Sequence, residues 1–178
     1  VITIKRAKSL RNLLTVAGVA GLLLAAVPAS SASAAIPGHT IRNFNSGKCM
    51  EVADWRTDNG APVRQWDCTG GANQNWALIP QGGSWYKFVN EASGKCLEIA
   101  DWRTDYGAPA RQWDCTGGAN QQWRWAWSDR DGDGIYTQHI WNRESLLVLE
   151  IPAWRTDNGA PVTQWGYNYS PNFNQEWL

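Results

Sequence analysis

Thirteen tryptophans, four cysteines and two histidines hold most of the chemistry open to this 178-residue chain. His39 and His139 stand far apart. No Ser-His-Asp arrangement, zinc-ligand spacing or phosphate-binding loop occurs. The cysteines, Cys49, Cys68, Cys96 and Cys115, include no close C-x-x-C pair, so a thiolate metal centre is not expected. Asp129-Arg130-Asp131-Gly132-Asp133-Gly134 begins like a calcium loop, but such loops end in Glu, and the matching position is Ile140. It reads as an acidic turn, and neither a metal nor a cofactor is expected. Glycoside hydrolysis needs two acids across one bond, and each repeating unit of this chain offers one well-placed Glu. An enzyme is therefore not expected, and non-covalent binding remains. Tryptophan suits it, with a flat apolar face and one N–H donor that serve a core corner or a ligand platform equally well.

These residues recur in register. NSGKCMEVADWRTDNGAPVRQWDCTGGANQNW runs from Asn45 to Trp76, and ASGKCLEIADWRTDYGAPARQWDCTGGANQQW from Ala92 to Trp123. A third copy, RESLLVLEIPAWRTDNGAPVTQWGYNYSPNFNQEW, runs from Arg143 to Trp177. Self-similarity at this period marks a repeat architecture. Within each copy, CMEV, CLEI and VLEI read as short strands, as does VRQW. DNG, DYG and TGG are turn chemistry, because glycine supplies φ > 0. No stretch has the pattern of a long amphipathic helix. The expectation is an all-β chain of about four short strands per repeat. Closing three such units on one another removes exposed strand edges. We therefore expect a β-trefoil with pseudo-threefold symmetry and repeats at about 40–80, 81–127 and 128–178.

Repeat three also orders the cysteines. Its counterparts to a repeat's two cysteines are Val148 and Tyr167, so both are lost together. Partners within one repeat would be lost in this way, which predicts Cys49–Cys68 and Cys96–Cys115. Each bridge closes a short loop worth about 3 kcal/mol in the chain-entropy model.

The first 35 residues read differently. Lys5, Arg6, Lys8 and Arg11 precede an apolar run, Leu13 to Val27, and Ala32-Ser33-Ala34 follows. A basic start, a short apolar run and an A-x-A site describe a secretory signal peptide, cleaved after Ala34 or Ala35. The run is shorter than the roughly 20 residues of a membrane span. Residues 36–178 then form one domain, outside the cell, where disulfides persist. The leader holds four of the 16 basic residues and none of the 16 acidic ones, so the remainder carries a net charge of −4. That gives no electrostatic case for nucleic acid or for an anionic membrane.

Gln74-Asn75-Trp76, Gln121-Gln122-Trp123 and Gln175-Glu176-Trp177 form a threefold Q-x-W pattern, each below a G-K-C…Q-W-D-C framework or its remnant. With these motifs the chain resembles the ricin B-type lectin domains, the (QxW)3 β-trefoils, and bacterial family 13 carbohydrate-binding modules. The resemblance covers about Ile36 to Leu178 and implies a carbohydrate partner and one site per repeat. An acid two positions after the first Cys would accept bonds from sugar hydroxyls: Glu51, Glu98 and Glu150. An aromatic two before the second Cys would stack on the sugar: Trp66, Trp113 and Trp165. An Asn would donate to a hydroxyl while a Gln orients the acid: Asn73-Gln74, Asn120-Gln121 and Asn174-Gln175. The chain departs from the family in carrying Glu where Asp is usual. It also has Arg64, Arg111 and Thr163 where Gln is common. A trefoil with degraded sugar sites that binds a protein is the alternative function. The repeated W-R-T-D loop has no role fixed by the family. We read Trp55, Trp102 and Trp154 as pocket rims, with Arg56, Arg103 and Arg155 beside them, against the plainer reading of a structural turn. The Q-x-W tryptophans, Trp76, Trp123 and Trp177, are expected in the core.

Overall fold

The computed structural model describes residues 34–129, 136–169 and 172–178; all but the last two residues of the expected leader and most of the Asp129–Gly134 turn lie outside them. The described chain is built of strands and single 3-10 turns, and none of its helices is long and apolar enough to cross a membrane. The strands are β1 (Ile36–Thr40), β2 (Cys49–Val52), β3 (Val63–Trp66), β4 (Asn75–Pro80), β5 (Trp85–Asn90), β6 (Cys96–Ile99), β7 (Ala110–Trp113), β8 (Trp123–Asp129), β9 (Tyr136–Asn142), β10 (Val148–Glu150) and β11 (Thr163–Trp165).

Strands β1, β4, β5, β8 and β9 pair antiparallel in that order. Trp177 bridges both Asn43, just after β1, and Gln138 of β9, so the C-terminus closes the ring into a barrel. Three hairpins, β2–β3, β6–β7 and β10–β11, form the remaining layer. This is the expected β-trefoil. Period-2 burial explains the barrel strands: in β4, Trp76 and Leu78 face in, while Ala77 and Ile79 are part-exposed. Trp76, Trp123 and Trp177 are fully buried, and each indole N–H donates to a hairpin carbonyl, of Met50, Leu97 and Leu149 respectively. Each Q-x-W tryptophan thus pins one hairpin to the barrel.

The repeated loop joins the repeats in a cycle. The loop of repeat one docks on β7 of repeat two: Gly60 N–H donates to Gln112 O, and the Gln112 amide bonds the carbonyls of Arg56 and Asp58. The loop of repeat two docks in the same way on Gln164 of repeat three, and that of repeat three on Gln65 of repeat one. Asn59 bonds Asp114 across the first of these junctions, and Asn158 bonds Asp67 across the third. At the second junction the pair is replaced: Tyr106 stands for Asn, Gly166 stands for Asp, and the Tyr106 ring packs on Trp165 at 4.9 Å.

Both disulfides are present, Cys49–Cys68 and Cys96–Cys115, each tying the start of one hairpin strand to the residues beyond the other. In repeat three the counterpart Tyr167 packs instead on His139 at 4.8 Å and Trp141 at 5.5 Å.

Candidate functional site

The site of repeat one is built on the β2–β3 hairpin. Glu51 and Arg64 are directly opposite each other in the register. Arg64 Nε donates to Glu51 Oε1 at 3.0 Å. The other carboxylate oxygen, Oε2, accepts from Asn73 Nδ2 at 3.2 Å and Gln74 Nε2 at 3.1 Å. Glu51 is only 4% exposed, so these bonds compensate an otherwise costly buried charge. Arg64 then reaches outward: its Nη2 donates to Asp54 Oδ1 at 2.8 Å, and its guanidinium lies 4.4 Å from the Trp66 ring centroid.

Asp54 and Trp55 owe their position to backbone. Both have φ near +55°, the left-handed region that side chains other than glycine disfavour. Two such residues in succession turn the chain back over the hairpin. Trp55 is 58% exposed, and its ring lies against Gly71. A Cβ at Gly71 would sit 2.6 Å from Trp55 Cζ2, which is why the TGG turn has glycine there. Glu51, Asp54, Trp55, Arg64, Trp66, Thr69 and Asn73 line one cleft of about 220 Å3, with Gln74 behind it on Glu51. Strained backbone of this kind concentrates at ligand sites.

Repeat two repeats the geometry. Arg111 Nε donates to Glu98 Oε1 at 2.9 Å, and Asn120 and Gln121 bond Oε2 at 3.3 and 2.9 Å. Arg111 also holds Asp101 and lies over Trp113. Trp102 is 53% exposed and rests on Gly118.

Repeat three differs. Asn174 and Gln175 still bond Glu150 Oε2, at 3.3 and 3.2 Å, but Thr163 stands where Arg64 and Arg111 stand. Ala153 replaces the outward aspartate. The Thr163 hydroxyl is buried without a partner. Burial holds the Glu150 carboxyl above the usual carboxylate range, against the opposing effect of its two amide donors. Trp165 is 40% exposed, with Tyr106 alongside, and Trp154 meets Phe173 edge-on.

The structure therefore brings Glu51, Trp66, Asn73, Gln74 and Trp55 together, and repeats the arrangement with Glu98, Trp113, Asn120, Gln121 and Trp102; in repeat three it joins Glu150 to Asn174 and Gln175, while Trp165 meets Tyr106 and Trp154 meets Phe173. Sequence reasoning missed Asp54 and Asp101 as cleft residues, and missed the bridging role of Arg64 and Arg111. The signal was available: Asp54 and Arg64 disappear together in repeat three. Arg56, Arg103 and Arg155 are each tied to the aspartate two residues on, Asp58, Asp105 and Asp157, and do not line the repeat-one cleft. Among the described residues no cluster of His, Cys, Asp and Glu could hold a metal.

A family model described as "Ricin-type beta-trefoil lectin domain-like" matches residues 26–113 and 82–165. Among solved structures, the chain is similar to ThreeFoil, a designed 3-fold symmetric protein, with 36% identity and a TM-score of 0.72. That match covers 79% of this chain and 95% of the design. It is also similar to 1,3Gal43A, an exo-β-1,3-galactanase from Clostridium thermocellum, at 32% identity and TM-score 0.71. There 79% of this chain matches 29% of the galactanase chain. A Macrolepiota procera ricin B-like lectin in complex with lactose shares the fold at 16% identity and TM-score 0.63, over 85% of this chain and 97% of the lectin. The threefold barrel, the buried Q-x-W tryptophans and the family match agree: the chain belongs to the ricin-type β-trefoil lectin domain-like family.

Proposed function

We propose that this protein is a secreted lectin that binds neutral sugars non-covalently, at two like clefts in repeats one and two and at a third of different character. One observation carries this reading. The exposed Trp55 ring, the Asp54 carboxylate and the Arg64 guanidinium surround a single cleft, and Trp102, Asp101 and Arg111 repeat the arrangement. A sugar ring presents a C–H face and a hydroxyl edge. The indole takes the face, while Asp54 accepts from neighbouring hydroxyls and Arg64 donates to them. Glu51, Asn73 and Gln74 form the floor that holds Arg64, and Trp66 backs it. Repeat three keeps Glu150, Asn174, Gln175 and the exposed Trp165 without the aspartate–arginine pair, so it offers a weaker or differently selective site. A shallow cleft binds weakly alone; several on one repeating polymer gain roughly 10²–10⁴ in avidity.

Relatives whose names include lactose and a β-1,3-galactanase make lactose and β-1,3-galactan the first probes. Titration calorimetry of the wild type should show binding, and Asp54→Asn with Asp101→Asn should lower its affinity at least about tenfold in a folded protein. A protein that binds no neutral sugar, or a double variant with unchanged affinity, overturns the reading. Binding to a protein that persists in excess sugar would support the alternative function instead. Export rests on the basic, apolar and A-x-A pattern of residues 1–35. Protein recovered from culture medium should begin at Ala35 or Ile36; retention in cells with residue 1 intact refutes export.

A further inference from the structure

Away from the hairpin clefts, the outer face of the barrel carries a ladder of rings and guanidinium groups. Arg124 of β8 is the register partner of Trp85 on one side and Trp141 on the other. Its guanidinium carbon lies 5.6 Å from the Trp85 ring centroid and 5.7 Å from that of Trp141. Arg143, just beyond β9, lies 5.4 Å from Trp85. Tyr167 continues the strip 5.5 Å from Trp141, and Tyr169 lies 5.1 Å from Tyr167. Strand alternation puts Trp123, Phe88 and Ile140 inside the barrel and turns Arg124, Trp85 and Trp141 outward. Both arginines and Tyr169 are exposed, and the other rings are part-exposed.

The fold does not require the Arg124–Trp141 pair at the centre of this strip. In the preceding barrel hairpin the equivalent cross-strand pair is Ala77 and Val89, one step beyond Trp76 opposite Asn90, just as Arg124 and Trp141 lie one step beyond Trp123 opposite Asn142. The arginines also differ from those of the loops and clefts. Arg56, Arg64, Arg103, Arg111 and Arg155 each pair with an Asp or Glu. Among the described ion pairs, neither Arg124 nor Arg143 has a carboxylate partner; Arg143 donates instead to Gln122 Oε1 at 2.6 Å. A guanidinium stacked by its face keeps its N–H edge for a planar anion.

We propose that this strip is a second binding surface, for a polysaccharide whose sugars carry carboxylates. The C–H faces of successive sugars lie on Trp85, Trp141 and Tyr169, and their carboxylates take charge-assisted bonds from Arg124 and Arg143. The net charge outside the leader is negative, but salt screens it beyond about 8 Å at physiological strength, so the local arginines decide contact. The proposal does not rest on the sugar-binding clefts.

Electrophoresis of the folded protein through gels containing polygalacturonate tests it, with β-1,3-galactan and double-stranded DNA gels in parallel. The wild type should be retarded by polygalacturonate, less so as salt rises. Arg124→Gln should weaken retention about tenfold, and Arg124→Gln with Arg143→Gln should abolish it, while lactose binding at the clefts stays unchanged. Both arginines are exposed, so these variants should fold. Asp54→Asn with Asp101→Asn should leave polygalacturonate retention intact. A wild type that is not retarded, a double arginine variant retained like the wild type, or equal retention by DNA overturns the proposal; the last would indicate charge attraction alone.

Discussion

Repeats one and two bury a carboxylate under an arginine, whereas repeat three buries one without it. Glu51 and Glu98 each meet Arg, Asn and Gln. Glu150 keeps the two amides, but Thr163 faces it across the hairpin. The differences come in sets defined by contact. Arg64 and its outer partner Asp54 are replaced together by Thr163 and Ala153. Cys49 and Cys68 give way together to Val148 and Tyr167. Asn59 with Asp114, and Asn158 with Asp67, correspond to Tyr106 with Gly166, and this last set crosses from one repeat to the next. The unit that varies is thus the bonded group rather than the repeat. A partly buried arginine without its carboxylates, or half a disulfide, would cost more than exchanging the whole group.

The largest expected effect follows from that asymmetry. Glu51→Ala leaves Arg64, whose side chain is 20% exposed, with only the outward Asp54 as an ionic partner. Removing one member of a buried pair costs about 3–5 kcal/mol; the partial exposure of Arg64 lowers the expectation to about 2–3. Glu98→Ala should cost the same. Glu150→Ala strands no cation and loses two amide bonds, worth about 1 kcal/mol. Urea midpoints at unchanged slope measure all three. Equal losses in the three repeats would show that the arginine adds nothing to the network.

The parts legible in the sequence are those that recur within one repeat. The turns, the hairpin strands, the Q-x-W anchors and the paired replacement of cysteine by Val148 and Tyr167 can all be read locally, and they fix the trefoil and both disulfides. The Glu51–Arg64–Asp54 bridge was harder. Its members lie 3 and 13 positions apart in sequence and meet only once the β2–β3 register is set. Glu in place of Asp and Arg in place of Gln then read as two separate departures, although they are one compensating exchange. The docking of each loop on another repeat was the least legible part. Three near-identical loops carry no label saying which neighbour each one meets, and only the Tyr106–Gly166 substitution pair hints at it.

A smaller effect tests the backbone side of the comparison. Gly47 and Gly94 adopt positive φ in the turn before each cysteine, and repeat three places Leu146 there, at φ +56°. Its side chain is 65% exposed, so little packing offsets the left-handed conformation. Leu146→Gly relieves a cost of about 1–2 kcal/mol and loses part of it to the greater freedom of the unfolded chain. A net gain of about 0.5–1 kcal/mol should appear as a raised Tm. No gain would mean that repeat three accommodates the leucine without strain.

The smallest effect depends on pH. Burial holds the Glu150 carboxyl above its ordinary range in the folded protein. Between the unfolded and folded pKa values the native state therefore holds more of this proton, so this group lowers stability as pH rises through that window. Its contribution is most favourable below the unfolded value and fully unfavourable above the folded one. Glu150→Gln removes the titration while keeping an acceptor for Asn174 and Gln175. The variant should match the wild type at low pH and exceed it by at most a few degrees in Tm at neutral pH. Glu51→Gln should do the opposite at neutral pH, because Arg64 then faces a neutral amide. If Glu150→Gln is also less stable than the wild type at neutral pH, the carboxylate of repeat three has a cationic partner in solution, and the contrast between the repeats is lost.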